Sequence, residues 1–140
     1  MQSIIHKINK FLSIKIFGSY KLNLLKIFNR PVLGFYEGNL IYREIHDLLI
    51  NDKFVIFDFN EIIFDKSFIE YAVCKHLKDI NKTNLLNNLA FINISETNLQ
   101  YIDSIIMQSD KYWNNREFRE WFQHLQIEND DQLVPISKSL

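Results

Sequence analysis

The chain is poor in the residues that staple, break or loosen a backbone. Of its 140 residues one is cysteine, three are glycine and two are proline. The lone Cys74 excludes an internal disulfide framework and a cysteine-based zinc site, and it makes a reducing compartment, the cytoplasm, the simplest setting. With so few glycines a phosphate-cradling loop is hard to build. No Walker-type loop, dinucleotide fingerprint, nucleophile elbow or zinc-protease signature occurs. No apolar run approaches the roughly 18–20 residues that a membrane-spanning helix needs. Acidic residues are missing altogether from positions 1–36, where Lys7, Lys10, Lys15, Lys21, Lys26 and Arg30 give a net +6. The remainder carries ten basic and all 17 acidic residues, a net −7. A secretory signal is not expected, because Lys10 and Lys15 interrupt every candidate apolar core.

What is present is a strong hydrophobic complement. Apolar types make up 47% and aromatics 14%, with twelve Phe. That is enough for one ordinary domain with its own core and argues against disorder. The most informative run is Phe54–Val73. The unbroken apolar block Phe54–Phe57 predicts a strand over 53–59 covered on both faces, as in a parallel sheet, and the block stops on Asp58. A second apolar patch, Ile62-Ile63-Phe64, leads into Asp65-Lys66-Ser67. There the period changes to helical, with Phe68, Ile69, Ala72, Val73, His76, Leu77 and Ile80 on the inner side as far as residue 80.

The flanking segments complete an α/β pattern. Arg30-Pro31 and Gly34 to Gly38 read as a breaker-rich loop, followed by an Asn39 N-cap and a helix to Ile50. Residues 81–87 read as a polar loop. Leu89–Ile94 is a second buried strand, and Ser95 caps a helix carrying Leu99, Ile102, Ile105 and Ile106. Residues 110–115 read as a connection. Phe118, Trp121, Phe122 and Leu125 form a stripe at helical spacing, and a polar tail follows from 128. Upstream, a strand is expected near 11–17, and residues 20–29 fit either a strand or a short helix. Helix, strand, helix, strand, helix in succession is the signature of a parallel sheet. The expected division is a basic segment 1–29 integrated with the domain, a domain over 30–127, and a flexible tail over 128–140.

The segment Phe54–Leu77 resembles the core of STAS-type domains, such as the anti-sigma-factor antagonists. Asp58-Phe59 is similar to their strand end, and Asp65-Lys66-Ser67 is similar to their Asp-x-Ser at a helix start. Ser67-Phe68-Ile69-Glu70, with Arg30 to Gly38 and Tyr42-Arg43-Glu44, is closer to the bacterial STAS-like family. The likeness spans about residues 30–110. It departs from the antagonists at Phe68, where they have glycine. The resemblance implies a small sheet of about four strands with packed helices, and a non-enzymatic regulatory module that binds another protein. In the antagonists that partner is a histidine-kinase-like ATPase, which phosphorylates the hydroxyl matching Ser67. No cofactor is implied.

Each candidate residue also has a plainer reading. Ser67 near a helix N-terminus could take an anion or a phosphate, or could simply be a cap. Asp58 and Asp65 could meet at the carboxyl edge of the sheet and hold a cation or accept a phosphoryl group, or could be a turn residue and a cap. The receiver-domain version fails for want of an early acidic pair. His6, His46, His76 and His124 lie far apart with no metal-ligand spacing, and Cys74 sits mid-helix with nothing to activate it. Trp113, in a polar stretch, is the candidate exposed aromatic anchor. Arg30, Tyr36, Arg43, Asp58, Asp65, Lys66, Ser67 and Trp113 make up the expected interaction surface. A rival function is nucleic-acid or membrane-surface binding through the basic N-terminal segment, whose plainer reading is a basic face beside an acidic domain. A homodimer built by exchange or pairing of that segment is a further expectation.

Overall fold

The structure, a computed structural model, describes residues 15–16 and 19–114. Its elements run in order β1 (Lys15–Ile16), β2 (Ser19–Asn23), α1 (Leu24–Phe28), β3 (Val32–Leu33), α2 (Phe35–Ile50), β4 (Phe54–Asp58), β5 (Ile63–Phe64), α3 (Lys66–Ala72), a 3-10 turn (Cys74–Lys78), α4 (Lys82–Asn87), β6 (Leu89–Ile92) and α5 (Glu96–Asn114). The expected helix at 118–125 and the tail from 128 lie outside the described residues, as does most of the basic segment. Its described part supplies β1, β2 and α1.

Four strands form a sheet in the order β1-β2-β4-β6. β1 is antiparallel to β2, with Ile16 opposite Ser19. β2 and β6 flank β4 in parallel, Leu22 beside Phe57 and Phe57 beside Phe91. The strand ending at Asp58 is therefore central, as its apolarity predicts. Its two faces are not alike, however. Val55 and Phe57 are fully buried, whereas Phe54 and Ile56 are half-buried. The connections β2–α2–β4 and β4–α3–β6 both step the same way across the sheet. Right-handed crossovers then place both helices on one face, and α2 packs along α3. The expectation of a strand covered on both faces is corrected to one face buried and the other half-buried.

Local elements differ from expectation where capping chemistry overrides periodicity. Residues 20–29 are both strand and helix. Asn23 caps α1 through its side chain, accepting from the Lys26 N–H at 3.1 Å, and Asn29 ends it in the left-handed region (φ 54°). α2 starts at Phe35, not after Asn39. Gly34 is its N-cap, and the Glu37 carboxylate reaches back to accept the Gly34 N–H at 2.7 Å. That half of a capping box sits in a glycine-rich stretch that looks like a loop. Residues 82–87 are helical because the Asn81 side chain accepts from the Asn84 N–H at 2.9 Å. α5 runs unbroken through 110–114, so the expected connection there is also corrected. Its start does follow expectation, since the Ser95 hydroxyl accepts from the Asn98 N–H at 3.1 Å.

The helix after Asp65 is interrupted at Val73 (φ −117°), where the chain tightens into the 3-10 turn. In a continuous α-helix the Ala72 carbonyl would accept from the backbone of His76. Instead the His76 ring supplies the contact, Nε2 to Ala72 oxygen at 3.1 Å. The core lies between the sheet and the helices, with Leu22, Ile41, Phe57, Phe68, Ile69 and Ile102 fully buried. Each such side chain contributes about 1.5–3 kcal/mol.

Candidate interaction surface

α3 begins at a tightly tied turn. Asp65 is its N-cap, accepting from the Phe68 N–H at 3.1 Å and from the Ser67 hydroxyl at 2.5 Å through the same oxygen. The Asp65 N–H donates to the Leu33 carbonyl at 3.2 Å. Asp65 thus fills the capping role, and Ser67 is the second residue of the helix, half-buried with its hydroxyl turned toward the cap. Lys66 is exposed and reaches Glu70 at 3.9 Å. Glu70 is buried, and that burial pushes its carboxyl above the usual range; Lys66 opposes the shift and Asp65 adds to it.

Two short parallel strands, β3 and β5, adjoin this turn and pair Val32 with Ile63. These two side chains are 60% and 65% exposed, the highest values among the large hydrophobics of the described residues. Phe35, at the start of α2, is also exposed and meets Tyr71 edge-on at 4.5 Å. Gly34 sits against the cap, since a Cβ there would be 3.1 Å from an Asp65 carboxylate oxygen. Arg30 is ion-paired with the buried Glu37, which fixes the approach to α2. Val32, Ile63 and Phe35 thus stand exposed on the elements that adjoin the turn of Asp65, Lys66 and Ser67.

The other expected site residues separate from this group. Asp58 is buried at the end of β4, where it accepts from the Asn60 N–H at 3.0 Å and from Asn93 Nδ2 at 2.9 Å and faces Lys21 Nζ at 3.6 Å. It ties together β2, β4 and the β6–α5 connection. Asp58 and Asp65 therefore work in separate local networks, as turn residue and cap. A cavity of about 360 Å³ lies at this edge, lined by Phe59, Ile62, Phe64, Asn93, Ser95 and Asn98 among others. Tyr36 lies beside Phe35 at the start of α2, while Arg43 is two turns further along. Trp113 is not the exposed anchor expected. It is half-buried, packs against the core from the last turn of α5, meets Tyr112 edge-on and lies under Lys78 at 6.0 Å. Cys74 is fully buried beside Ser109, and burial pushes its thiol up to about 12.

Sequence reasoning missed the histidine pair. His46 of α2 and His76 of the 3-10 turn, thirty residues apart, meet Nδ1 to Nδ1 at 2.7 Å. The available signal was His76 itself, a polar ring inside an apolar stripe with no partner near it in sequence. Among the described residues no group of three or more His, Cys, Asp or Glu could hold a metal ion, and no helix is long and apolar enough to cross a membrane. Compared with protein-family models, curated proteins and solved structures, the chain matches none.

Proposed function

We propose that this protein is a non-enzymatic regulatory module of STAS-like type, which binds another protein through the turn at Asp65–Ser67 and its apolar surround. The observation that carries the reading is the pairing of Val32 with Ile63, both well exposed, beside a serine hydroxyl at a helix start. Exposed apolar side chains bordered by polar groups mark a protein-binding patch. The resemblance of Ser67-Phe68-Ile69-Glu70 to the STAS-like pattern supports the same surface, and a histidine-kinase-like ATPase is the partner class that it suggests. A cytoplasmic setting suits the buried, unmodified thiol of Cys74.

Phosphorylation of Ser67 would act as the switch. Its hydroxyl donates to Asp65. A phosphoester has no hydrogen to donate and brings nearly two negative charges toward that carboxylate. The cap would be disturbed and the binding face would change sign. Incubation with the partner ATPase and ATP, followed by intact mass, tests this step. One added phosphate that disappears in Ser67→Ala supports it. No added phosphate, or one that survives Ser67→Ala, defeats it.

A further inference from the structure

The directions of the hydrogen bonds around His46 and His76 can be assigned one at a time. The Ala72 carbonyl only accepts, so His76 Nε2, 3.1 Å away, carries a hydrogen. The Asp79 carboxylate only accepts, so His46 Nε2, at 3.1 Å, carries one as well. The two Nδ1 atoms stand 2.7 Å apart and need one hydrogen between them. That makes three hydrogens on four ring nitrogens, whereas two neutral imidazoles hold two. The closed arrangement therefore contains one extra proton, shared by a pair of nearly parallel rings (11°).

We propose that this pair is a proton-dependent latch, fastening the C-terminal half of α2 to the turn after α3 only while the two rings hold a single positive charge between them. His76 is fully buried and His46 mostly so, which keeps water from replacing the lost contacts. A second proton would bring two cations to within 2.7 Å. Removing the shared one would leave a nitrogen lone pair facing either its twin or the Asp79 carboxylate.

Charged groups surround the pair. From α2, Tyr42 covers both rings at 4.9 and 4.7 Å, and its phenol is pushed up by burial and by Asp79. Arg43 on α2, with Lys75 and Lys78 on the turn, forms a cationic set that resists a second charge on the pair, and Lys75 lies 4.5 Å over the Tyr42 ring. On the other elements packed against the turn, Lys82 of α4 and Asp110 of α5 already face each other at 3.9 Å. Asp79 is thus the anion that compensates the pair.

The sign of the pH dependence follows by linkage. Once opened, both rings behave as ordinary imidazoles, doubly charged as a pair well below about pH 6.5 and uncharged well above it. The closed arrangement is the one that carries a single charge. Opening takes up a proton in acid and releases one in alkali. The latch is tightest near pH ~6.5 and loosens on both sides, the opening constant rising up to about ten-fold per pH unit.

Two measurements test it. Nitrogen NMR of the histidine rings near pH ~6.5 is expected to show His76 with hydrogen on Nε2 and one hydrogen more than two neutral rings hold. Two neutral rings there would overturn the proposal. Amide hydrogen exchange over residues 74–81, corrected for intrinsic rate, is expected to show greatest protection near pH ~6.5 and less on both sides. His46→Gln should keep the acid limb and lose the alkaline one. Protection that changes in one direction only in the wild type, or two limbs that persist in His46→Gln, would refute the latch.

Discussion

Gly38 on α2 lies against the backbone of Phe68 on α3. A Cβ at Gly38 would stand 2.7 Å from the Phe68 carbonyl oxygen and 3.2 Å from its Cα. Backbone cannot yield as a flexible side chain does, so the two helices would have to separate. Gly38→Ala is expected to destabilise the protein by about 1–3 kcal/mol, in spite of the roughly 1 kcal/mol that alanine gains in a helix interior. Denaturant unfolding measures it. An unchanged or raised stability would mean that the helices do not meet this closely.

The cap of α3 gives a second expectation. Asp65→Ala removes the acceptor for both the Phe68 N–H and the Ser67 hydroxyl, and should cost about 1–2 kcal/mol. Ser67→Ala leaves the Asp65–Phe68 bond in place and should cost less than about 1 kcal/mol. Equal losses in the two variants, read by thermal unfolding, would show that the Asp65–Phe68 bond adds nothing beyond the Ser67 contact.

Acid should weaken the fold through His76. Burial, and then the neighbouring His46 charge, push His76 down to about 3. In the unfolded chain the ring titrates near 6.5. A group with a depressed folded value takes up its proton on unfolding. Its contribution is therefore complete above about pH 6.5 and is lost as pH falls toward 3, at up to about 1.4 kcal/mol per pH unit. Denaturant midpoints between about pH 6 and 5 should show this slope. His76→Gln should flatten it, and a wild type with no slope there would contradict the buried neutral ring.

Cys74 provides a probe of core integrity. Its thiol is fully buried and pushed up to about 12, so thiolate is scarce at neutral pH. A thiol reagent is expected to label the native protein only as fast as it opens, and to label it at once in denaturant. Rapid labelling of the native state would place this residue outside the core.

The parallel sheet was legible because four consecutive apolar residues, Phe54–Phe57, ending at Asp58 leave few alternatives. The α2 start was not, since Gly34 and Gly38 look like loop residues. Gly34 caps through Glu37, and Gly38 is dictated by Phe68, a contact between elements that no local pattern reveals. The same holds at the candidate site. The Asp65–Lys66–Ser67 turn could be read directly, being local in sequence. The exposed Val32–Ile63 pair and the His46–His76 contact join residues about thirty apart, and only the fold brings them together. Trp113 misled because its neighbours in sequence are polar while its neighbours in space include the core.

The central functional claim is that a partner binds at the turn of Asp65–Ser67 and its apolar surround. Ile63 is 65% exposed on β5, so Ile63→Asp should leave the unfolding midpoint nearly unchanged while disrupting that patch. Met107, 59% exposed on α5, serves as the control position. The deciding measurement is the affinity of a histidine-kinase-like ATPase, the proposed partner, for wild type, Ile63→Asp and Met107→Asp, read by titration calorimetry. Ile63→Asp is expected to bind at least about ten-fold more weakly while Met107→Asp binds as wild type does. Equal affinity of Ile63→Asp and wild type would contradict the assignment of this surface.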